Sequence, residues 1–229
     1  MKLTQRLEKI AHSVPEGSEP VDVGTDHCYL PVFLIEKGIC SRVIATELNR
    51  GPYTRALQMI KRKKLSECID LRLGYGLEPI TPGEVDTVII SGMGGNTILE
   101  ILERSPLVVN KVKTLILQPM NAVSRAREYL IKSGFKICDE MLVYEGKRFY
   151  EVIKCEHGKQ KIEDEIFYEI GFVLPYKHDP MFSIFVKEKI ARFKKALNGI
   201  SKSGYAKAEA KRKTLKTKIQ KLQEVLTWL

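Results

Sequence analysis

The sequence has little of what would place it in several large classes. No run approaches 18 uninterrupted apolar residues, so no membrane-spanning helix is expected. Met1-Lys2-Leu3-Thr4-Gln5-Arg6 leads into a charged, helical stretch without the apolar centre of a secretory leader, and the expectation is a soluble, cytoplasmic protein. Cysteine is sparse and scattered: Cys28, Cys40, Cys68, Cys138 and Cys155 form no C-x-x-C pair and have no histidine at ligand spacing. Neither a metal centre nor a disulfide framework is expected, and the cysteines read as small buried apolar residues in a reducing compartment. Long internal repeats and low-complexity tracts are also lacking.

What is present is ample apolar material and an uneven charge. Hydrophobic residues make up 44% of 229, enough for a packed core. The formal charge is +10, and it is concentrated late in the chain: Lys159 to Leu229 carry 16 Lys and Arg against 8 Asp and Glu, whereas the first 158 residues are close to balanced. A basic surface attracts polyanions, RNA or DNA foremost; the plainer alternative is a Lys-rich, well-solvated helical surface.

Up to about residue 157, β-rich runs alternate with amphipathic stretches. Strands are predicted at Val21–Val23, Arg42–Glu47, Ile69–Leu73, Thr87–Ser91, Thr114–Gln118, Lys136–Tyr144 and Phe149–Cys155. Helices are predicted at Tyr29–Lys37, Tyr53–Lys63, Gly95–Glu103 and Ser124–Lys132. Strands apolar on both faces and separated by helices predict a mostly parallel, doubly covered sheet. The connection Glu145-Gly146-Lys147-Arg148 is too short for a crossover, so the last two strands should form an antiparallel edge hairpin. Five β-α repeats closed by such a hairpin is the Rossmann-like layout of class I methyltransferases. After Gly158 the period changes. Val186, Ile190, Phe193, Leu197 and Ile200, then Leu215, Ile219, Leu222, Leu226 and Leu229, step by 4 and 3 on either side of Ser201-Lys202-Ser203-Gly204. This predicts two helices in an antiparallel coiled-coil hairpin, and hence domains at 1–158 and 159–229.

Doubly wound sheets bind ligands beyond the carboxyl ends of their strands. The first strand ends in Asp22-Val23-Gly24-Thr25-Asp26, where a G-x-G-x-x-G fingerprint is missing all but Gly24. A carboxylate at that turn disfavours a pyrophosphate and suits a cofactor carrying an amine and a sulfonium, S-adenosylmethionine. The second strand ends in Glu47, with Leu48 beside it, an acid placed to accept from ribose hydroxyls or simply a strand-terminal surface residue. Tyr75 and Gly76 follow the third strand, in a flexible turn whose backbone groups and tyrosine are placed to meet an adenine ring if the ligand is such a cofactor. Ser91-Gly92-Met93-Gly94-Gly95 follows the fourth, where glycines allow close backbone approach to a ligand or merely a tight strand-to-helix turn. Gln118, Pro119 and Asn121 end the fifth.

The stretches DVGTDHCYLP at 22–31, ATELNRGP at 45–52, SGMGG at 91–95 and LQP at 117–119 resemble the bacterial tRNA (adenine(22)-N1)-methyltransferase family in order, spacing and chain length. The resemblance implies methyl transfer from S-adenosylmethionine to N1 of an adenine in the tRNA D-arm region, with a basic coiled-coil C-terminal domain holding tRNA. It implies cofactor contacts from Asp22, Gly24, Thr25, Tyr29, Glu47, Leu48, Tyr75, Gly76, Ser91, Gly92 and Met93. Asp26 and His27 would act at the base, and Gly94, Gln118, Pro119 and Asn121 would line its pocket. For Asp26 the competing reading is a cap on the following helix; His27 either touches substrate or supports Asp26. The chain departs from the family pattern at Tyr75, where an Asp is usual, and at Met120, where Asn directly follows Gln-Pro. The rival readings are a methyltransferase acting on another nucleic acid or a small molecule, a non-catalytic tRNA-binding protein, and, disfavoured by the missing glycines, a dehydrogenase. A monomer or weak homodimer is expected, without metal or membrane.

Overall fold

A computed structural model describes residues 1–200 and 206–227; the Ser201–Gly204 turn and Leu229 of the apolar stripe lie outside these. The chain divides into two compact units, Met1–Gln160 and Lys161–Leu229.

The first unit is built on seven strands: β1 (Pro20–Val23), β2 (Val43–Glu47), β3 (Ile69–Leu73), β4 (Thr87–Met93), β5 (Thr114–Pro119), β6 (Phe135–Glu145) and β7 (Arg148–His157). They lie in the order β3-β2-β1-β4-β5-β7-β6, the first five parallel and the last two antiparallel. All seven lie where the sequence predicts them, the hairpin strands one or two residues longer at each end. The order reverses between β1 and β4, which opens the ligand crevice of such sheets at the ends of those two strands.

Helices α1 (Gln5–Ser13), α2 (Tyr29–Glu36), α3 (Arg50–Lys63), α4 (Gly95–Arg104), α5 (Pro106–Val109) and α6 (Val123–Lys132) cover the sheet. The regular β-α alternation fails once: residues 74–86 join β3 to β4 by turns, because Gly74, Gly76, Pro79, Pro82 and Gly83 leave no stretch able to propagate a helix. α2 is apolar nearly all round and is buried accordingly. Leu30, Phe33 and Leu34 join α1, Ile89 and Ile116 in one cluster, and Val32 joins Ala45, Ala56 and Ile60 of β2 and α3 in another.

One ionic knot lies in this core. Arg127 of α6, fully buried, meets Glu140 of β6 at 2.7 Å and Glu151 of β7 at 2.8 Å. It ties the antiparallel edge to a helix of the parallel part. The cysteines are unpaired by disulfides, with Cys28, Cys40 and Cys155 buried as expected and Cys138 exposed. Among the described residues there is no group of side chains fit to hold a metal ion, and no helix is long and apolar enough to cross a membrane.

In the second unit, α7 (Ile166–Ile170) and a short 3-10 turn at Leu174–Tyr176 precede two long helices, α8 (Pro180–Gly199) and α9 (Ala206–Thr227). Arg212 donates to the carbonyl of Ile200, and the Lys218 ammonium lies over the Phe193 ring, so α8 and α9 run in opposite directions. Val186, Ile190, Ile219 and Leu222 of the sequence stripe are buried, joined by Phe182, Phe185 and Val225 outside it. Lys221 pairs with Asp164, and Lys218 with Glu169 of α7.

Candidate active site

At the ends of β1 and β4 lies a cavity of about 300 Å³. Its floor and one wall are Asp22, Gly24, Thr25, Asp26, His27 and Tyr29, continuing into Leu30; Ser91 and Gly92 form the second wall; Arg6 and Leu7 of α1 close it. The β1 end therefore gathers six of the predicted residues, and β4 adds two.

The local geometry comes from alternating left-handed residues. Gly24 (φ 69), Asp26 (φ 48) and Cys28 (φ 58) wind the chain into a compact coil before α2 starts. The N–H groups of Gly24 and Thr25 both donate to the Thr46 carbonyl on β2. Gly24 suits this position because its φ disfavours any side chain and because the terminal methyl of Met93 lies against it. The Met93 tip could move aside, whereas the dihedral could not.

Asp22 is buried at the bottom of the cavity. Burial raises its carboxyl from 3.8 to about 6, opposed by the Thr25 hydroxyl beside it and reinforced by the Glu47 charge. Such a group lacks a cation and gains from receiving one. Arg6, which also lines the cavity, donates through Nη1 to the amide oxygen of Gln118, holds its guanidinium 5.3 Å from the Tyr150 ring centre, and keeps its Nε buried without a partner. A buried carboxyl and a guanidinium with one buried, unmatched N–H lining the same cavity make the donor set of a zwitterion site. It fits the ammonium and carboxylate of an amino-acid moiety.

The mouth is polar and aromatic. Asp26 does not cap α2: Cys28 occupies the cap position, and the Asp26 carboxylate instead receives Arg55 of α3 at 2.8 Å, with His27 Nε2 at 3.6 Å. The His27 and Tyr29 rings stack with centres 5.1 Å apart and planes 8° apart. Tyr29 is exposed and so presents the outer face of the stack.

The other predicted residues separate into those near the mouth and those used internally. Glu47 is buried, and its carboxylate accepts from the N–H groups of Asp26, Leu48 and Asn49, at 3.2, 3.0 and 3.1 Å; Leu48 itself is exposed. The Gly76 carbonyl accepts from Thr46 at 2.8 Å. Tyr75 turns onto α4, where Arg104 lies 4.6 Å over its ring and Glu100 meets its hydroxyl. One face of the ring is thus taken by Arg104 and the hydroxyl by Glu100.

Gln118 and Pro119 are fully enclosed. The Gln118 amide accepts from Arg6 and from the Gly92 N–H at 3.2 Å, and donates to the Pro119 carbonyl. It frames the pocket from behind rather than lining it. Asn121 accepts from the Gly95 N–H at 3.1 Å, and a Cβ on Gly95 would come within 2.6 Å of the Asn121 backbone oxygen. Gly95 is thus required by packing between two loops, whereas Gly92 (φ 76) is required by its dihedral at the β4 bulge. A Cβ added to Gly94 would stand at ordinary contact distance from the Asn121 side chain.

Sequence reasoning missed Arg6, Leu7 and Arg55. Each lies in an amphipathic helix where charged and apolar residues are the norm, and only the packing of that helix on the strand ends brings it to the site.

A family model described as a methyltransferase domain matches residues 3–153. A Bacillus subtilis tRNA (adenine(22)-N(1))-methyltransferase is 34% identical over 190 residues, 82% of this chain and 80% of that protein. The chain belongs to that family. The crystal structure of the Bacillus subtilis m1A22 tRNA methyltransferase TrmK superposes with a TM-score of 0.90 at 31% identity, covering 98% of this chain and 99% of that one. A Streptococcus pneumoniae candidate of the same type, solved with S-adenosyl-L-methionine, gives 0.88 at 33% identity over 98% of this chain and all of that one. The fold is the Rossmann-like methyltransferase fold, a mostly parallel sheet with an antiparallel edge.

Proposed function

We propose that this family member transfers a methyl group from S-adenosylmethionine to N1 of adenine 22 in tRNA. The observation that carries the reading is the cavity at the β1–β4 switch, lined by both buried Asp22 and Arg6, in a chain of this family. Asp22 takes the cofactor's ammonium and Arg6 its carboxylate. Gly24, Thr25, Ser91 and Gly92 bring backbone close to the cofactor, and Glu47 stands at the ribose position. Bound S-adenosylmethionine supplies an activated methyl on a sulfonium.

Neutral adenine N1 already carries a lone pair, so the protein's task is mainly alignment of the base. Tyr29 and His27 offer a stacked platform at the mouth. The product base carries positive charge and can release a proton from its exocyclic amine. Asp26, held by Arg55, faces that position, stabilises the charge and accepts the proton. Asn121 and Gly94 edge the pocket, while Gln118 and Pro119 hold its back. The antiparallel pair α8–α9 forms a short basic coiled-coil hairpin that contacts tRNA phosphates, which supports flipping the target base out of its stack.

Methylation of a tRNA transcript, with the modified nucleotide mapped, tests the reading. Wild type is expected to modify N1 of adenine 22 and to leave a transcript carrying guanine there untouched. Asp26→Ala should lower turnover about 100-fold with S-adenosylmethionine affinity retained. Methyl transfer to another position overturns the substrate assignment, and full activity of the variant removes Asp26 from the chemistry.

A further inference from the structure

The β6–β7 hairpin has a tip that the fold alone does not require. β5 pairs with β7 only as far as Leu117 opposite Ile153, so residues 148–150 and their β6 partners run on past the carboxyl end of β5, on the side where the site lies. The turn is two residues, Gly146 (φ 59) and Lys147 (φ 61), both left-handed, which is the tight hairpin turn whose second position ordinarily takes glycine. Lys147 therefore displays an exposed cationic side chain at the apex against its backbone preference.

The two faces of the tip differ. On one, Glu145 and Arg148 face each other and anchor it: the Glu145 carboxylate accepts from the Arg6 N–H at 3.1 Å, and Arg148 donates to the Met120 carbonyl. On the opposite face, Tyr144 and Phe149 form a cross-strand aromatic pair with ring centres 4.9 Å apart, Tyr144 being 44% exposed. A cross-strand pair alone would be explained by hairpin stability. Its exposure beside a cationic apex, on a tip fixed to the cavity-closing Arg6 and to the loop after β5, calls for more.

We propose that this tip is a contact for the substrate RNA, with Tyr144 stacking on an unpaired base near the target adenine and Lys147 pairing with a phosphate. Exposed aromatics beside cations are the pattern by which proteins hold splayed nucleotides. The proposal rests on the tRNA methyltransferase reading. The rigid turn and the two anchors give it a fixed stance, so the nucleotide it grips has a set distance from the methyl-transfer site.

Full-length wild type, Tyr144→Ala and Lys147→Gly are compared for tRNA affinity, S-adenosylmethionine affinity, thermal stability and oligomeric state by light scattering. Tyr144→Ala is expected to weaken tRNA binding about tenfold. Lys147→Gly should weaken it less and lower the slope of log affinity against log salt by about 1. Because glycine suits φ 61, Lys147→Gly should melt no lower than wild type, which separates lost contact from lost folding. Cofactor affinity should stay within about twofold in both. Unchanged tRNA affinity in both variants overturns the proposal. So does a parallel loss of cofactor affinity, which would make the tip a mere support for Arg6, or a changed oligomeric state at unchanged tRNA affinity, which would make the occupant a second copy. Wild type that neither binds nor methylates the transcript sinks the underlying reading instead, before any variant is compared.

Discussion

Asp22 gives the site a pH dependence whose sign is fixed by its environment. Its carboxyl rises from 3.8 to about 6 on folding, first through burial and then through Glu47, so the native state holds the proton more tightly than the unfolded chain. Ligand-free stability should therefore fall as pH rises from about 4 through about 6 and level off above, by about 3 kcal/mol in all. A cationic ligand reverses the preference by favouring the ionised form. S-Adenosylmethionine affinity should then drop about tenfold per pH unit below about 6. Calorimetric titrations between pH 5 and 8 check this, with Asp22→Asn expected to bind weakly at every pH and to melt higher than wild type at pH 7.5 without ligand. The sequence showed Asp22 and Gly24 plainly, because a carboxylate and a glycine at the end of an apolar strand are local signals. Arg6 was hidden because its partner, Gln118, is 112 residues away and no periodicity reports that meeting.

The edge hairpin and α6 depend on one another through Arg127. A guanidinium completely enclosed between Glu140 and Glu151 is held in its charged form by both carboxylates, against the cost of burial. Arg127→Met strands two carboxylates in the core and should cost about 3–5 kcal/mol in a denaturant titration, whereas replacing all three residues with apolar ones of similar volume should recover most of that loss. A small effect of the single change would mean that water reaches the carboxylates. The element positions were legible from runs and turns, including the short connection that makes β6 and β7 a hairpin. The knot was not, since Ser124-Arg125-Ala126-Arg127-Glu128 reads as an ordinary solvated helix face and both glutamates sit in strands of mixed polarity. The helix-poor passage after β3 was readable from its glycines and prolines, yet the expectation of regular repeats passed over it.

The whole molecule separates chemistry from basic charge. The sheet, both apolar clusters and the cavity close within Met1–Gln160, and the excess of lysine and arginine lies beyond. A chain ending at Gln160 should bind S-adenosylmethionine within about twofold of full length and lose tRNA affinity by an order of magnitude or more at 0.15 M salt, with a shallower salt dependence. Retained tRNA binding would make the contacts of the first unit sufficient and take the assigned role from α8 and α9.

The strand order carries a consequence for synthesis. Translation delivers β6 before β7, yet β6 pairs with β7 alone, and it is β7 that completes the open side of β5. Until residue 157 has left the ribosome, a nascent chain holds a finished five-stranded parallel sheet with a bare rim and a strand of mixed polarity that has nowhere to dock. Unpaired rims of this kind recruit other chains. Messages truncated between codons 119 and 147 should therefore yield aggregates, and a pause in translation is most hazardous in that interval.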